Sequence, residues 1–136
     1  MSFFLVKNRA FLQADVYELF RRMNSTMKRI LVIDDHTELR QMLRRILERE
    51  GYEVVEAGDG KEGVELYRQV PADLIITDVV MPEKDGVEII RELKRDFPDV
   101  RVIAISGGSR TLGAQYCLAA MKALGALYVL TKPFGR

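Results

Sequence analysis

The regular alternation of short apolar runs with helical patterns is the feature that most constrains the fold of this chain. Five runs rich in β-branched residues are separated by stretches whose apolar residues recur at helical spacing. Because most of these runs show no strict polar alternation, they indicate strands buried on both faces, as in a parallel sheet. The sequence therefore predicts an α/β fold, doubly wound around a five-stranded parallel sheet. The predicted strands cover residues 28–33, 52–57, 74–78, 100–105 and 127–130.

Each predicted helix has a single apolar face that can pack on this sheet. In the first helix, Thr37 is expected to be the cap and Gly51 to mark the end. A fourth helix is expected over residues 112–124. The apolar positions are Leu39, Met42, Leu43, Ile46 and Leu47 in the first helix, Val64, Leu66 and Tyr67 in the second, and Val87, Ile90 and Leu93 in the third.

The first 26 residues form a separate unit in this interpretation, and residues 27–136 form the α/β domain. Apolar residues at helical spacing predict an amphipathic N-terminal helix over residues 8–24, whose stripe must be buried somewhere. We call residues 1–26 the leader. The stripe consists of Leu12, Val16, Leu19, Phe20 and Met23.

Composition disfavours several classes of function. A net charge of +1 provides no strong field for nucleic acid or an acidic membrane, and no apolar run approaches the roughly 20 residues that span a bilayer. One cysteine cannot form an internal disulfide, which fits a reducing compartment. We therefore expect a cytoplasmic protein that contacts neither nucleic acid nor membrane directly.

Polar residues follow the ends of the predicted strands. Because the carboxyl ends of parallel strands share one edge of a sheet, and ligands bind at that edge, we expect these side chains to converge. The alternative is that the acid pair after the first strand only caps the following helix, but a cap needs one acid and leaves the others unexplained. The residues are Asp34, Asp35, Asp78, Ser106 and Lys132.

This set of side chains is suited to phosphoryl transfer. Three carboxylates at one edge repel each other, and a hard divalent cation such as Mg²⁺ removes that repulsion. The ammonium group of Lys132 and the hydroxyl of Ser106 can bind an anion beside the cation. Asp78 can then act as a nucleophile that carries an acyl phosphate.

The order and spacing of these motifs resemble the receiver domain of two-component response regulators, the chemotaxis-type fold. The matching segments are Ile30-Leu31-Val32-Ile33-Asp34-Asp35, Asp78 with Met81-Pro82 and Asp85-Gly86, Ile103-Ala104-Ile105-Ser106-Gly107, and Lys132-Pro133-Phe134. The resemblance covers residues 27–134 and implies a flavodoxin-like sheet with the strand order 2-1-3-4-5.

The resemblance also implies a role for each site residue. Asp78 would be the phosphorylated aspartate and, with Asp35, a direct ligand of Mg²⁺. Asp34 would hold the ion through water, and the backbone carbonyl of Val80 would supply a further oxygen.

Two residues would contact the phosphoryl group. Ser106 would be the switch hydroxyl, and Lys132 would form an ion pair with the phosphoryl oxygens. The bond between Lys132 and Pro133 would be cis, a plausible state for an X-Pro bond.

The chain departs from the family pattern at several positions. The aromatic switch residue is expected at position 129, which is valine, and Tyr128 is one place early, on the opposite face of the strand. The segment 107–112 is longer than usual, and only Gly135 and Arg136 follow Phe134, where the family has a fifth helix. The leader could fill the place of that helix, within its own chain or in a homodimer; alternatively, Met27 is the true start.

The leading hypothesis is a stand-alone response regulator rather than an enzyme. It would receive a phosphoryl group from a histidine kinase or a phosphotransfer protein, and act on an unknown downstream protein or as a relay intermediate. The alternatives are an Mg²⁺-dependent phosphohydrolase, which would want an acid where Val80 stands, and a non-phosphorylated scaffold. His36 is assigned to a loop or helix start rather than to a ligand or phosphodonor role, and Cys117 is expected to be a small core or surface residue.

Overall fold

The computed structural model describes residues 28–106 and 119–131. Within them strands and helices alternate as the sequence predicts, and residues 119–123 are helical. The elements are β1 (Arg29–Ile33), α1 (Thr37–Arg49), β2 (Glu53–Ala57), α2 (Gly60–Gln69), β3 (Leu74–Asp78), α3 (Gly86–Asp96), β4 (Val102–Ser106) and β5 (Tyr128–Thr131).

The strands form a parallel sheet in the order β2-β1-β3-β4-β5. The predicted α/β fold with a parallel sheet is therefore confirmed. Ile33 pairs with Ala57 on one side and with Thr77 on the other, and Asp78 pairs with Ile105. This register brings the carboxyl ends of β1, β3 and β4 to the same edge of the sheet.

The core lies between the central strands and the helices. All five residues of β3 are buried, including Thr77 and Asp78, as expected for a strand covered on both faces. On α3 the fully buried face includes Ile89, whereas Val87, which was assigned to the inward stripe, is only partly buried. The buried apolar residues of the three helices are Leu43 and Leu47, then Val64 and Tyr67, then Ile89, Ile90 and Leu93.

The expected cap of α1 was wrong by one position. The N-cap residue is His36, whose side chain makes no capping hydrogen bond, and Thr37 is the first helical residue. The chain is still extended at His36, with φ −89° and ψ 104°, and the helix begins at the next residue. The turn after β1 is therefore one residue shorter than the sequence interpretation assumed.

Several predictions concern residues outside the described ranges. These are the leader helix, the segment 107–112, most of the predicted helix 112–124, and the bond between Lys132 and Pro133. Within the described ranges no peptide bond is cis. In the same part of the chain no helix combines the length and apolar character needed to cross a membrane.

Candidate metal and phosphoryl site

Acidic side chains gather where β1 and β3 end. Asp34 directly follows β1 and extends its ladder, because its backbone N–H donates to the carbonyl of Ala57 at 3.1 Å. Asp78 is the last residue of β3. Asp34 is 1% exposed and Asp78 is 4% exposed, so both carboxyl groups lie below the surface of this edge.

Four side chains form one cluster at this edge, which we call the acid cluster: Asp34, Asp35, His36 and Asp78. One potential ligand atom from each residue lies within 4.8 Å of the others, and Asp35 and His36 are exposed while the two other residues are buried. Ligands on opposite sides of an ion that sits about 2.1 Å from each are about 4.2 Å apart. A small inward movement would therefore bring the carboxylate oxygens to coordination distance, and oxygen ligands with an open side suit Mg²⁺.

Backbone hydrogen bonds hold the loop after β3 against the strand end. The N–H of Val79 donates to the carbonyl of Ile105 at 3.0 Å, and the N–H of Gly86 donates to the carbonyl of Val79 at 2.9 Å. A Cβ atom at Gly86 would lie 2.6 Å from the carbonyl oxygen of Asp78, so only glycine allows this approach. The start of α3 thereby packs directly against the residue that carries the buried carboxyl group.

The loop after β1 is held by an arginine that sequence reasoning missed. Arg40 on α1 donates from Nη1 to the backbone carbonyl of Asp34 at 2.7 Å and from Nε to Oε1 of Glu56 at 3.1 Å. Arg44, one turn later, donates to the other oxygen of Glu56 at 2.8 Å. This network ties the acid cluster to α1 and β2.

The network also lowers the pKa of Glu56. Burial alone would raise its pKa, but hydrogen bonds from Arg44 and Arg40 outweigh burial and hold the pKa of Glu56 below its usual value. The sequence contained a signal for this network. Glu56 interrupts the apolar end of β2, and Arg40 and Arg44 are four residues apart and therefore on the same face of α1.

Comparison with known proteins identifies the family and the fold. A family model for the response regulator receiver domain matches residues 30–136. The chain belongs to the response regulator receiver domain family. It is 35% identical to the chemotaxis protein CheY of Thermotoga maritima over 108 aligned residues. The alignment covers 79% of this chain and 87% of that protein.

Solved structures show the same similarity. A response regulator receiver domain protein from Clostridium thermocellum matches with a TM-score of 0.71 and 33% identity, over 79% of this chain and 83% of that one. TrrA of Thermotoga maritima, solved in complex with Mg(2+)-BeF, matches with a TM-score of 0.65 and 31% identity, over 80% of this chain and 90% of that one. Receiver domains bind Mg²⁺ at an acidic pocket, which in this chain corresponds to Asp34, Asp35 and Asp78.

The structure brings together three of the predicted site residues of this receiver domain, Asp34, Asp35 and Asp78. It places Ser106 at the end of β4, paired in register with the last residue of β5, on the same edge of the sheet. Lys132 lies outside the described residues. Val80 follows Asp78 by two positions with its side chain 58% exposed, and the role of its carbonyl as a ligand stays a prediction.

His36 lies at the start of α1, as predicted, and it is also a member of the acid cluster. Its Nδ1 is 3.1 Å from Oδ1 of Asp34 and 3.3 Å from Oδ1 of Asp35. Its backbone N–H donates to the same oxygen of Asp34 at 2.8 Å. The sequence interpretation had separated this imidazole from the acids, although it follows them directly.

Proposed function

We propose that this receiver domain accepts a phosphoryl group on Asp78 from the phosphohistidine of a histidine kinase or a phosphotransfer protein. The observation that carries the proposal is the acid cluster, in which the buried carboxyl groups of Asp34 and Asp78 lie with the exposed carboxylate of Asp35 at one edge of the sheet. Phosphorylation on aspartate is general in the family to which the chain belongs.

In this reaction a carboxylate oxygen of Asp78 attacks the phosphorus atom of the donor. A phosphorus–oxygen bond forms while the phosphorus–nitrogen bond breaks, and the donor imidazole leaves with the electron pair and takes up a proton. Bound Mg²⁺ would offset the negative charge that the phosphoryl oxygens and the carboxylates bring together.

The chain's own residues would divide the remaining tasks. Asp34, Asp35, Asp78 and the carbonyl of Val80 would hold the ion, while Ser106 and Lys132 would bind the phosphoryl oxygens. The Arg40 network would keep the loop that carries the acid pair in place, because it anchors the carbonyl of Asp34 at 2.7 Å. The loop after β3, which the hydrogen bond from Gly86 to Val79 closes, would likewise keep Asp78 in place.

The output of this receiver domain would be a protein contact or a phosphorelay step. Members of the family are signalling modules that interact with histidine kinases and downstream proteins. The alignment with CheY of Thermotoga maritima spans 87% of that protein, which supports a function carried by the receiver fold itself. A cytoplasmic location and the absence of direct nucleic-acid contacts stay predictions.

Incubation with a small phosphodonor such as phosphoramidate, with and without Mg²⁺, tests the proposal. We expect intact mass spectrometry to show one phosphate adduct that forms only with Mg²⁺, and peptide mapping to place it on Asp78. Rapid release of many phosphates per chain would indicate a phosphohydrolase instead. A chain that forms no adduct although it binds Mg²⁺ would indicate a scaffold.

A further inference from the structure

The acid cluster of this chain contains a nitrogen ligand as well as carboxylates. His36 is the single histidine of the chain, and its Nδ1 lies within 3.3 Å of an oxygen of each acid of the pair. Mg²⁺ takes oxygen ligands, so the imidazole adds nothing that a magnesium site requires. It adds an imidazole nitrogen, a ligand that zinc and related transition ions prefer.

The separations between these atoms are those of neighbouring ligands around one ion. Zinc lies about 2.1 Å from nitrogen and oxygen ligands, so two ligands are about 3.0 Å apart at a right angle and about 3.4 Å apart at the tetrahedral angle. The observed distances of 3.1 and 3.3 Å from Nδ1 to the two carboxylate oxygens lie in this interval. The imidazole therefore needs little movement to share an ion with the acid pair.

The hydrogen bond of His36 explains what holds the ring there without an ion. A carboxylate oxygen only accepts, so Nδ1 carries the proton and donates to Asp34 at 3.1 Å. To bind a metal, Nδ1 must give up this proton, so the metal-bound ring is the form that carries its proton on Nε2. The side chain is 67% exposed, so the ring can reorient and exchange its proton with solvent.

We propose that His36 makes this pocket a mixed nitrogen–oxygen site, in which Nδ1 and the cluster carboxylates bind Zn²⁺ in competition with Mg²⁺. The inference rests on the proposed function in so far as both ions use the same carboxylates. Since the two ions share those ligands, each excludes the other. Phosphorylation by a small donor in Mg²⁺ would then fall as Zn²⁺ is added.

The single histidine makes a direct test possible in the untagged full chain. Nitrogen-15 NMR resolves the two ring nitrogens of His36 without assignment ambiguity. On addition of Zn²⁺ we expect the Nδ1 resonance to move to the range of a metal-bound nitrogen and Nε2 to become the protonated nitrogen. With Mg²⁺ alone the tautomer should not change.

A variant series measures the contribution of the imidazole to selectivity. His36→Phe keeps an aromatic ring without a ligand atom, and circular dichroism would check its fold. Affinities for Zn²⁺ and Mg²⁺ come from competition with a fluorescent indicator. We expect the ratio of Zn²⁺ to Mg²⁺ affinity to fall at least about tenfold, since even residues that only support a metal ligand typically contribute about 10–100-fold.

Two further variants separate the possible outcomes. Cys117→Ser removes the one thiol of the chain and should leave the ratio unchanged. Asp78→Asn should weaken both ions. If the wild type binds both ions while the His36 resonances and the His36→Phe ratio do not change, the inference is wrong and the proposed function survives. If the wild type binds Mg²⁺ no better than Asp78→Asn does, the proposed metal site itself fails.

Discussion

The starts of α1 and α3 both follow a strand of the sheet and both contain aspartates, but the acids act differently. At α3, Asp85 accepts a hydrogen bond from the N–H of Glu88 at 3.0 Å, and the carboxylate of Glu88 accepts one from the N–H of Asp85 at 3.4 Å. This reciprocal pair is a capping box. At α1 the N-cap residue, His36, makes no side-chain capping bond.

The difference shows how position decides the role of an aspartate. Asp34 accepts the N–H of His36, two residues on, and thereby shapes the turn instead of capping a helical N–H. The alternative that Asp34 and Asp35 only cap the first helix is therefore wrong. The acids at α1 lie beside Asp78, where a charged ligand can use them, whereas Asp85 stabilises a helix end.

The largest test of this contrast is Asp78→Asn, which should abolish phosphorylation by a small donor. An amide cannot act as the nucleophile, so intact mass spectrometry should detect no adduct. Without a metal the variant should melt at the same temperature as the wild type or higher, because one repelling charge is removed. Asp85→Asn is the matched control and should still be phosphorylated; labelling of Asp78→Asn at the wild-type rate would contradict the assignment.

The next largest effect is expected from Asp35→Asn, which should weaken Mg²⁺ binding by at least about tenfold. Residues that only support a metal ligand already contribute roughly 10–100-fold to metal affinity, and Asp35 is expected to be a direct ligand. Asp35 is the exposed carboxylate of the cluster, so its loss removes a ligand with little effect on packing. Isothermal titration calorimetry measures the affinity. An unchanged affinity would place the ion elsewhere.

A stability effect in the opposite helix start is expected from Asp85→Ala. The substitution removes the N-cap and with it the capping box, which should lower the free energy of unfolding by about 1 kcal/mol. Urea denaturation measures the change. The reciprocal control is Asp35→Asn, whose free energy of unfolding should not fall by this amount. Equal decreases in the two variants would contradict the distinction between a capping acid and a site acid.

The smallest effect is expected from an acid at the other end of α3 that is neither a cap nor a cluster member. Hydrogen bonds from Arg95 and Arg68 lower the pKa of Asp96 from 3.8 to about 2. Because the folded-state pKa lies below the unfolded value, its contribution to stability is present above pH 3.8 and is lost as the pH falls towards 2.

Carbon-13 NMR of the Asp96 carboxyl group tests this pKa. We expect a titration midpoint near 2 in the wild type and a higher midpoint in Arg68→Gln. Lys84→Gln, which removes a partner of Glu92 and not of Asp96, is the control and should leave the midpoint in place. Since Asp96 is exposed, the melting temperature at neutral pH should change little in either variant.

Much of the fold and the central part of the site could be predicted because their signals are local. The run Leu74–Asp78 is apolar and ends in an acid, and the structure buries all five of its residues. Parallel topology then brings the ends of β1 and β3 together whatever their sequence separation, which is why Asp34, Asp35 and Asp78 could be grouped in advance. The predictions for residues 1–26 and for Lys132 stay predictions.

The sequence by itself determined the strands, the parallel arrangement and the acids at one edge, since these follow from hydrophobic periodicity and chain connectivity. Only the tertiary structure decided that His36 is the N-cap residue of α1 and joins the acids, and that Arg40 connects Glu56 to the carbonyl of Asp34. Those contacts depend on the turn after β1 and on the distance between α1 and β2. The distance between α1 and β2 results from packing between elements, and Arg40 and Glu56 are 16 residues apart in the sequence. The turn is local, but hydrophobic periodicity does not specify the backbone conformation that brings His36 against Asp34.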